Sequence, residues 1–269
     1  MSELTVVAPG WATTIQDAGR PGRADIGVCR SGALDGALRA VLNRLVGNAE
    51  DAAVLETLGG LRVSPTSAAV VATSAEMAAI AVSAGETVEV EPASDTLWGY
   101  LAVRGGIAVA PVLGSRSQDS RSGLGPPPIT SGMSLPIGPD PGSSIVADHA
   151  PPRPRRDVVD IWPGPRVDWF VDDALEQLVA NVWTVSTDVS RVGARLDGTP
   201  IARARPEELP SEGLVTGAVQ VPADGRPVVM LADHPTTGGY PVLAVVDDAS
   251  LASVVQARPG ERLRFRVLH

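Results

Sequence analysis

Ala232-Asp233-His234-Pro235-Thr236-Thr237-Gly238-Gly239-Tyr240-Pro241 puts an acid, an imidazole, two hydroxyls, two glycines and a phenol into a single turn. A positioned carboxylate or imidazole can move protons. Glycines let backbone N–H groups approach a ligand closely. Gln220, on the apolar run that leads toward this turn, is grouped with Thr236, Thr237, Gly238, Gly239 and Tyr240 as a candidate substrate-binding set. The competing reading is a hairpin whose turn is polar because water surrounds it.

A second constellation is PVLGSRSQDSRSGLG, from Pro111 to Gly125. Ser115, Arg116, Ser117, Asp119, Ser120, Arg121 and Ser122 follow closely on Arg104-Gly105-Gly106. Guanidinium groups beside hydroxyls and glycines suit a carboxylate or a phosphate, because the planar fork can grip two oxygens at once. A flexible surface loop is the alternative. Two smaller sets complete the inventory. Ser31-Gly32, with Asp35, precede a helical pattern, where outward-pointing N–H groups favour anions. Thr13, Thr14, Gln16, Asp17 and Arg20 form a compact polar loop, either pinned by an Asp17–Arg20 contact or walling a site.

The elements that must position these residues are mostly strands. Leu214, Val219 and Val221 belong to an alternating run; Pro222-Ala223-Asp224-Gly225 has tight-turn chemistry, and Val228 to Leu231 returns as a buried strand that ends at Asp233. Val242 to Val246 leaves the turn as a further strand. Leu4 to Val7 reads as a strand closed by Pro9-Gly10, with a loop from Trp11 to Gly22. Leu34, Leu38, Val41, Leu42, Leu45 and Val46 share one face of a helix spanning 31–47, capped by Ser31 or Asp35 and stopped at Gly47. Apolar runs at Leu61–Val63, Ala69–Ala72, Ala78–Val82, Val88–Val90 and Leu97–Val103 read as a β-meander. Strands this short and this closely spaced suit a barrel or sandwich.

Residues 139–157, rich in Pro and Gly and including Pro151-Pro152-Arg153-Pro154, mark a linker or surface strap between a β-rich lobe at 1–138 and a second domain at 158–269. In that second half Val158–Trp162 is a strand, Val167–Val182 a helix and Trp183–Ser186 a strand. Asp247 or Asp248 caps a last helix bearing Leu251, Val254 and Val255, and Leu263–Val267 closes the chain as a strand. The expected fold is mainly β with a few short helices.

Composition removes several functions. The chain has 269 residues and a formal net charge of −9, and all its basic side chains apart from histidine are arginine. Without lysine it has no phosphate-binding GxxxxGK[ST] loop, forms no lysine Schiff base, and cannot itself carry biotin. An acidic surface disfavours nucleic acid. The single cysteine, Cys29, excludes an internal disulfide and reads as a small buried apolar residue. His149, His234 and His269 lack ligand spacing, so no metal is expected. The Met1-Ser2-Glu3 start has no leader pattern, and no apolar run approaches the roughly 20 residues that span a bilayer. A soluble, cytoplasmic protein with no membrane partner is expected.

GAVQVPADGRPVVMLADHPTTGGYP resembles the signature of the C subunit of the bacterial 5-oxoprolinases. That family is also named allophanate hydrolase subunit 2, the KipI antagonist KipA, or the biotin-dependent carboxyltransferase family. Two further motifs agree in the family's order: Thr14-Ile15-Gln16-Asp17-Ala18-Gly19-Arg20-Pro21-Gly22 with Ser31-Gly32-Ala33-Leu34-Asp35, and Val103-Arg104-Gly105-Gly106-Ile107 with Val112-Leu113-Gly114-Ser115-Arg116-Ser117.

The resemblance implies a cyclophilin-like β-barrel in at least the C-terminal half. It also implies a role in an ATP-dependent amide-cleaving complex that converts 5-oxo-L-proline to L-glutamate. ATP would be consumed by that complex without a phosphate loop in this chain. Asp233 or Asp119 would act as base. Arg104, Arg116 and Arg121 would hold a carboxylate or phosphate, and Gly105, Gly238 and Gly239 would donate to an oxyanion. Ser115 and Ser117 would join the substrate set. The expected partners are a KipI-like homologue of the B subunit, across an interface of roughly 2,000 Å² or more, and an A subunit. The family leaves two other readings open: a carboxyltransferase module acting on urea beside a biotinylated partner, and a KipA-like regulatory binder without turnover.

Overall fold

The structure is a computed structural model that describes residues 2–147, 149–151 and 154–268. Met1, Pro152, Arg153 and His269, which figure in the sequence reading, lie outside the described residues. The chain divides into two compact units, one of Met1–Pro21 and Ser31–Pro154, the other of Gly22–Arg30 and Arg155–His269. Both are mainly β.

The first unit holds two sheets. One orders the strands Val88–Val90, Leu61–Pro65, Glu3–Pro9 and Ser134–Pro136; the other orders Thr14–Gln16, Val54–Thr57, Gly99–Val103, Ala69–Thr73 and Ala79–Val82. Leu4, Val6, Leu61, Val63 and Leu135 from the first sheet share one apolar core with Ile15, Leu55, Val71, Leu101 and Val103 from the second. Two features differ from the sequence reading. The run from Leu61 to Val103 is not a meander, because successive strands are dealt out between the two sheets. Alternation tells which residues point inward, yet two facing sheets share that interior and the pattern does not say which sheet a strand joins. The loop read from Trp11 to Gly22 also contains a strand, Thr14–Gln16, paired with Val54–Thr57 in the register Thr14↔Glu56.

The helix is shorter than its apolar pattern, running Gly36–Leu45. Asp35 is its cap, accepting from the Leu38 amide at 3.0 Å, so Ser31 and Gly32 lie ahead of the helix. The helix packs on Gly99–Val103 and Ala69–Thr73. Gly99–Val103 and its neighbour Val54–Thr57 are buried along their whole length, polar Glu56, Thr57 and Tyr100 included.

The second unit is a closed barrel. Its strands follow the order Val158–Pro163, Val242–Val246, Ala218–Gln220, Val228–Met230, Gly193–Asp197, Trp183–Val189 and Arg262–Val267. Arg262–Val267 closes it by pairing parallel to Val158–Pro163, with Val158 opposite Arg264. Closure leaves no free sheet edge. The helix Asp248–Val255 packs on Val158–Pro163 and is capped by Asp247 through the Ala249 amide at 3.0 Å. The helix expected over Val167–Val182 is broken into a 3-10 turn, Val167–Trp169, and a helix, Ala174–Ala180. Between them Phe170 is extended and bridges to Arg203, while the Val171 amide bonds to Ala202 at 3.3 Å; these tertiary partners override helical periodicity. No helix among the described residues is long and apolar enough to cross a membrane.

Candidate functional site

Each unit gathers polar side chains at strand ends, and each gathering is held by a buried carboxylate. In the first unit that carboxylate is Asp17, just past the strand Thr14–Gln16. Its Oδ1 accepts from the Ser115 and Ser117 hydroxyls, both at 2.6 Å, and from the Gly19 amide at 2.8 Å; its Oδ2 accepts from the Arg116 amide at 2.6 Å. The expected Asp17–Arg20 pairing is replaced by these four bonds. Ser115 and Ser117 are fully buried and serve the loop's own geometry. The Ser117 hydroxyl also accepts from the Asp17 amide at 2.9 Å. Arg20, 2% exposed, donates through Nη2 to the Ser117 carbonyl.

Asp119 closes the next turn of the same loop. It accepts from the Arg121 and Ser122 amides at 2.9 and 3.3 Å, and from the Ser122 hydroxyl. The Arg116 side chain donates to the Val109 carbonyl at 2.8 Å, whereas Arg121 is exposed. Gly125, with φ +100°, permits the loop's return: a Cβ there would lie 2.2 Å from the Ser117 carbonyl oxygen. Ser31 joins this centre by donating to the Gln118 carbonyl at 3.1 Å. It adopts φ +53°, an uncommon conformation for a residue with a side chain.

Arg104 and Gly105 are engaged elsewhere in the same unit. Arg104 grips Asp140 through Nε at 3.1 Å and Nη2 at 2.7 Å. It also donates to the Val46 and Ser143 carbonyls at 3.0 and 2.7 Å. Hydrogen bonding from Arg104 holds the Asp140 carboxyl below its usual range. Gly105 has φ +93°, and a Cβ there would lie 2.3 Å from the Gly138 carbonyl oxygen. This pair therefore fastens the Pro/Gly-rich strap that follows Gly138. Among the described residues, none of its hydrogen bonds reaches Ser115–Arg121.

The first unit also holds a buried network around Tyr100. Its hydroxyl donates to Glu56 Oε2 at 2.8 Å and accepts from the Asp35 amide at 2.9 Å; Glu56 also accepts from the Leu34 amide at 2.8 Å. Burial, reinforced by the negative charges of Glu56 and Asp35, pushes the Tyr100 phenol well above its ordinary value. This network holds the Leu34 and Asp35 amides, and with them the start of the helix.

In the barrel unit the carboxylate is Asp233. Arg191 grips it through Nε to Oδ2 at 2.9 Å and Nη2 to Oδ1 at 3.1 Å, with the two side chains 4% and 0% exposed. The Asp233 amide also donates to the Arg191 carbonyl at 2.9 Å. Asp233 thus ties the Ala232–Pro241 turn to the Ser190–Gly193 corner. His234 is buried as well, and its Nδ1 lies 2.7 Å from the Pro235 carbonyl oxygen.

The rest of the turn runs back against Glu212–Gly213, with Glu212 opposite Gly238 and Gly213 opposite Thr237. Gln220 donates to the Tyr240 carbonyl at 2.9 Å, and a Cβ on Gly238 would lie 2.9 Å from Gln220 Nε2 and 2.7 Å from Leu214 Cδ1, so a larger residue there would displace these side chains. Thr237 and Tyr240 are exposed, and Thr236 and Gly239 are partly exposed. The Arg203 guanidinium stacks 5.7 Å from the Tyr240 ring centre. Glu212 is paired with Arg166 at 2.9 Å, and that hydrogen bonding lowers its carboxyl from the usual range.

Three organising residues escaped the sequence reading: Arg191, Gln118 and, as the centre of its own cluster, Asp17. For Asp17 and Gln118 the signal was composition, since both sit in the polar runs already singled out. For Arg191 the sequence offered none beyond a polar corner.

The whole chain is similar to proteins already known. It is 33% identical to the protein of Escherichia coli named as the C subunit of 5-oxoprolinase, over 97% of this chain and 90% of that protein. A crystal structure described as TTHA0988 superposes with a TM-score of 0.87 at 32% identity, covering 99% of this chain and 55% of that one. The crystal structure of the K. lactis urea amidolyase superposes with a TM-score of 0.87 at 28% identity, covering 99% of this chain and 19% of that one. The chain therefore spans about half or less of these two solved proteins. The match that runs through both units covers residues 26–267, and the chain belongs to the family described as carboxyltransferase domain, subdomain A and B.

Proposed function

We propose that this chain is the C subunit of an ATP-dependent 5-oxoprolinase and supplies part of a site completed by a KipI-like homologue of the B subunit. The observation that carries the reading is the match to the E. coli C subunit over nearly the whole of both chains. The reaction consumes 5-oxo-L-proline, ATP and water and yields L-glutamate, ADP and phosphate. A lactam carbonyl is a poor electrophile; phosphorylation of its oxygen activates the carbon so that water adds there, the ring C–N bond breaks to leave an acyl phosphate and a free amine, and a second water displaces phosphate to give glutamate. With no lysine and no phosphate loop, this chain fits the substrate-holding half better than the ATP-binding one.

Among the candidate residues, Arg121, Thr236, Thr237, Gly239 and Tyr240 reach solvent and are suited to meet a substrate. Asp17, Asp119 and Asp233 are engaged in holding their loops, and we assign them the positioning of those groups. Arg104 and Arg116 are assigned to scaffolding on the same ground.

The test is glutamate release from 5-oxo-L-proline and ATP by this chain with its candidate A and B partners, each omitted in turn. Release that requires this chain supports the reading. A silent complete mixture sinks it. The K. lactis urea amidolyase likeness favours a second reading, a carboxyltransferase module acting on urea. Lacking lysine, the chain would need a biotinylated partner, and co-purification of one would favour that reading.

A further inference from the structure

Arg20 is a buried cation whose counter-charge does not come from its own loop. It is 2% exposed, and while Nη2 is engaged by the Ser117 carbonyl, Nε and Nη1 meet no acceptor among the described residues. Asp17, three positions away, is committed to two hydroxyls and two amides.

Two buried acceptors, Gln16 Oε1 and Gln118 Oε1, also meet no donor among the described residues. The Gln16 amide is oriented by its nitrogen, which donates to Thr14 Oγ1 at 3.0 Å and to the Gln118 carbonyl at 2.9 Å. Gln16 and Arg20 thus converge on consecutive carbonyls, of Gln118 and Ser117, and the Ser31 hydroxyl reaches the first of these in a strained backbone conformation. Such strain gathers at ligand sites.

Buried charges are normally paired, and buried amide oxygens are normally hydrogen-bonded. A bound water can satisfy the glutamine oxygens but brings no charge to answer the guanidinium. A small molecule with a carboxylate for Arg20 and a nearby N–H for the glutamine oxygens answers both. We propose that Arg20, Gln16 and Gln118 form a binding site for a small carboxylate bearing an adjacent N–H. 5-Oxo-L-proline has both groups on neighbouring atoms; its choice as occupant rests on the function proposed above, while the chemistry of the site does not.

Calorimetric titration of the intact chain, alone and co-purified with its B-subunit homologue, tests the proposal. The probes are 5-oxo-L-proline, 2-pyrrolidone, tetrahydrofuran-2-carboxylate, N-acetylglycinate and inorganic phosphate. 5-Oxo-L-proline should bind, with 2-pyrrolidone (no carboxylate) and tetrahydrofuran-2-carboxylate (no N–H) each weaker by about tenfold or more. Arg20→Gln should weaken 5-oxo-L-proline by at least about tenfold. Arg44→Ala, at an exposed ion pair, should change nothing.

If Arg20→Gln fails to fold, Gln118→Leu takes its place and should erase the preference for 5-oxo-L-proline over tetrahydrofuran-2-carboxylate. Arg20-dependent binding of N-acetylglycinate without 5-oxo-L-proline would sustain the site and remove the 5-oxoprolinase assignment. Glutamate release by the complete complex, with binding indifferent to both variants, would overturn the site and leave that assignment standing. Binding of phosphate alone, or of no carboxylate in either form of the protein, overturns the site.

Discussion

Arg191 and Asp233 meet side-on through two hydrogen bonds of 2.9 and 3.1 Å, with neither side chain more than 4% exposed. Removing one partner leaves the other charged and buried. Arg191→Met and Asp233→Leu should each cost about 3–5 kcal/mol, and the double variant carrying both should cost less than the two together. Urea unfolding of the two single variants and the double variant measures this cycle; strictly additive losses would show that the pair is not coupled.

Asp17 holds the Ser115–Ser117 segment by accepting from two hydroxyls and the Arg116 amide. Asp17→Ala should destabilise the first unit by about 2–4 kcal/mol, because charged hydrogen bonds are lost and buried donors are left unmet. Ser117→Ala should cost about 1–2 kcal/mol. Amide hydrogen exchange at Gly19 and Arg116 should accelerate in Asp17→Ala, and unchanged protection there would refute the positioning role.

Two glycines with positive φ should respond differently to alanine. At Gly105 a Cβ meets the Gly138 carbonyl oxygen at 2.3 Å, whereas at Gly85, φ +79°, nothing lies within 4 Å. Gly85→Ala should cost only the left-handed backbone penalty, about 1–2 kcal/mol. Gly105→Ala adds a backbone clash and should cost clearly more. Comparison of their thermal midpoints decides the matter.

The pH dependence of stability has an acid limb and an alkaline limb. Hydrogen bonding from Arg104, Arg266 and Arg166 lowers the Asp140, Asp160 and Glu212 carboxyls. A lowered folded value means that the contribution is fully present above the unfolded carboxylate range, roughly pH 4, and is lost as pH falls through the folded values below it. Tyr100 has the opposite sign: its raised phenol contributes fully below its unfolded value, roughly pH 10, and the contribution is lost as pH climbs above that. Tyr100→Phe should flatten the alkaline limb and leave the acid limb unchanged in urea titrations taken across pH.

Much of the fold was legible because its causes are local. Pro222 and Gly225 close their turn with the Gly225 amide on the Pro222 carbonyl at 3.0 Å, as the dipeptide chemistry requires. Val228–Met230 returns against Ala218–Gln220 in the register Val219↔Val229, and Asp247 caps Asp248–Val255. Capping, turn type and alternation act over a few residues, so a sequence carries them without its fold.

The polar centres are another matter. The sequence by itself determined that Asp17, Ser115, Ser117, Gln118 and Asp233 would fall in polar loops and turns. It also determined that a chain without lysine could neither carry biotin nor build a phosphate loop. Only the tertiary structure decided that Asp17 takes the Ser117 hydroxyl, 100 positions along the chain, in place of Arg20, and that Arg191 takes Asp233, 42 positions along. A hydrogen bond depends on placement to within a few tenths of an ångström. That placement is set by strand register and core packing, whose partners lie far apart in the chain, so it leaves no mark on residue spacing.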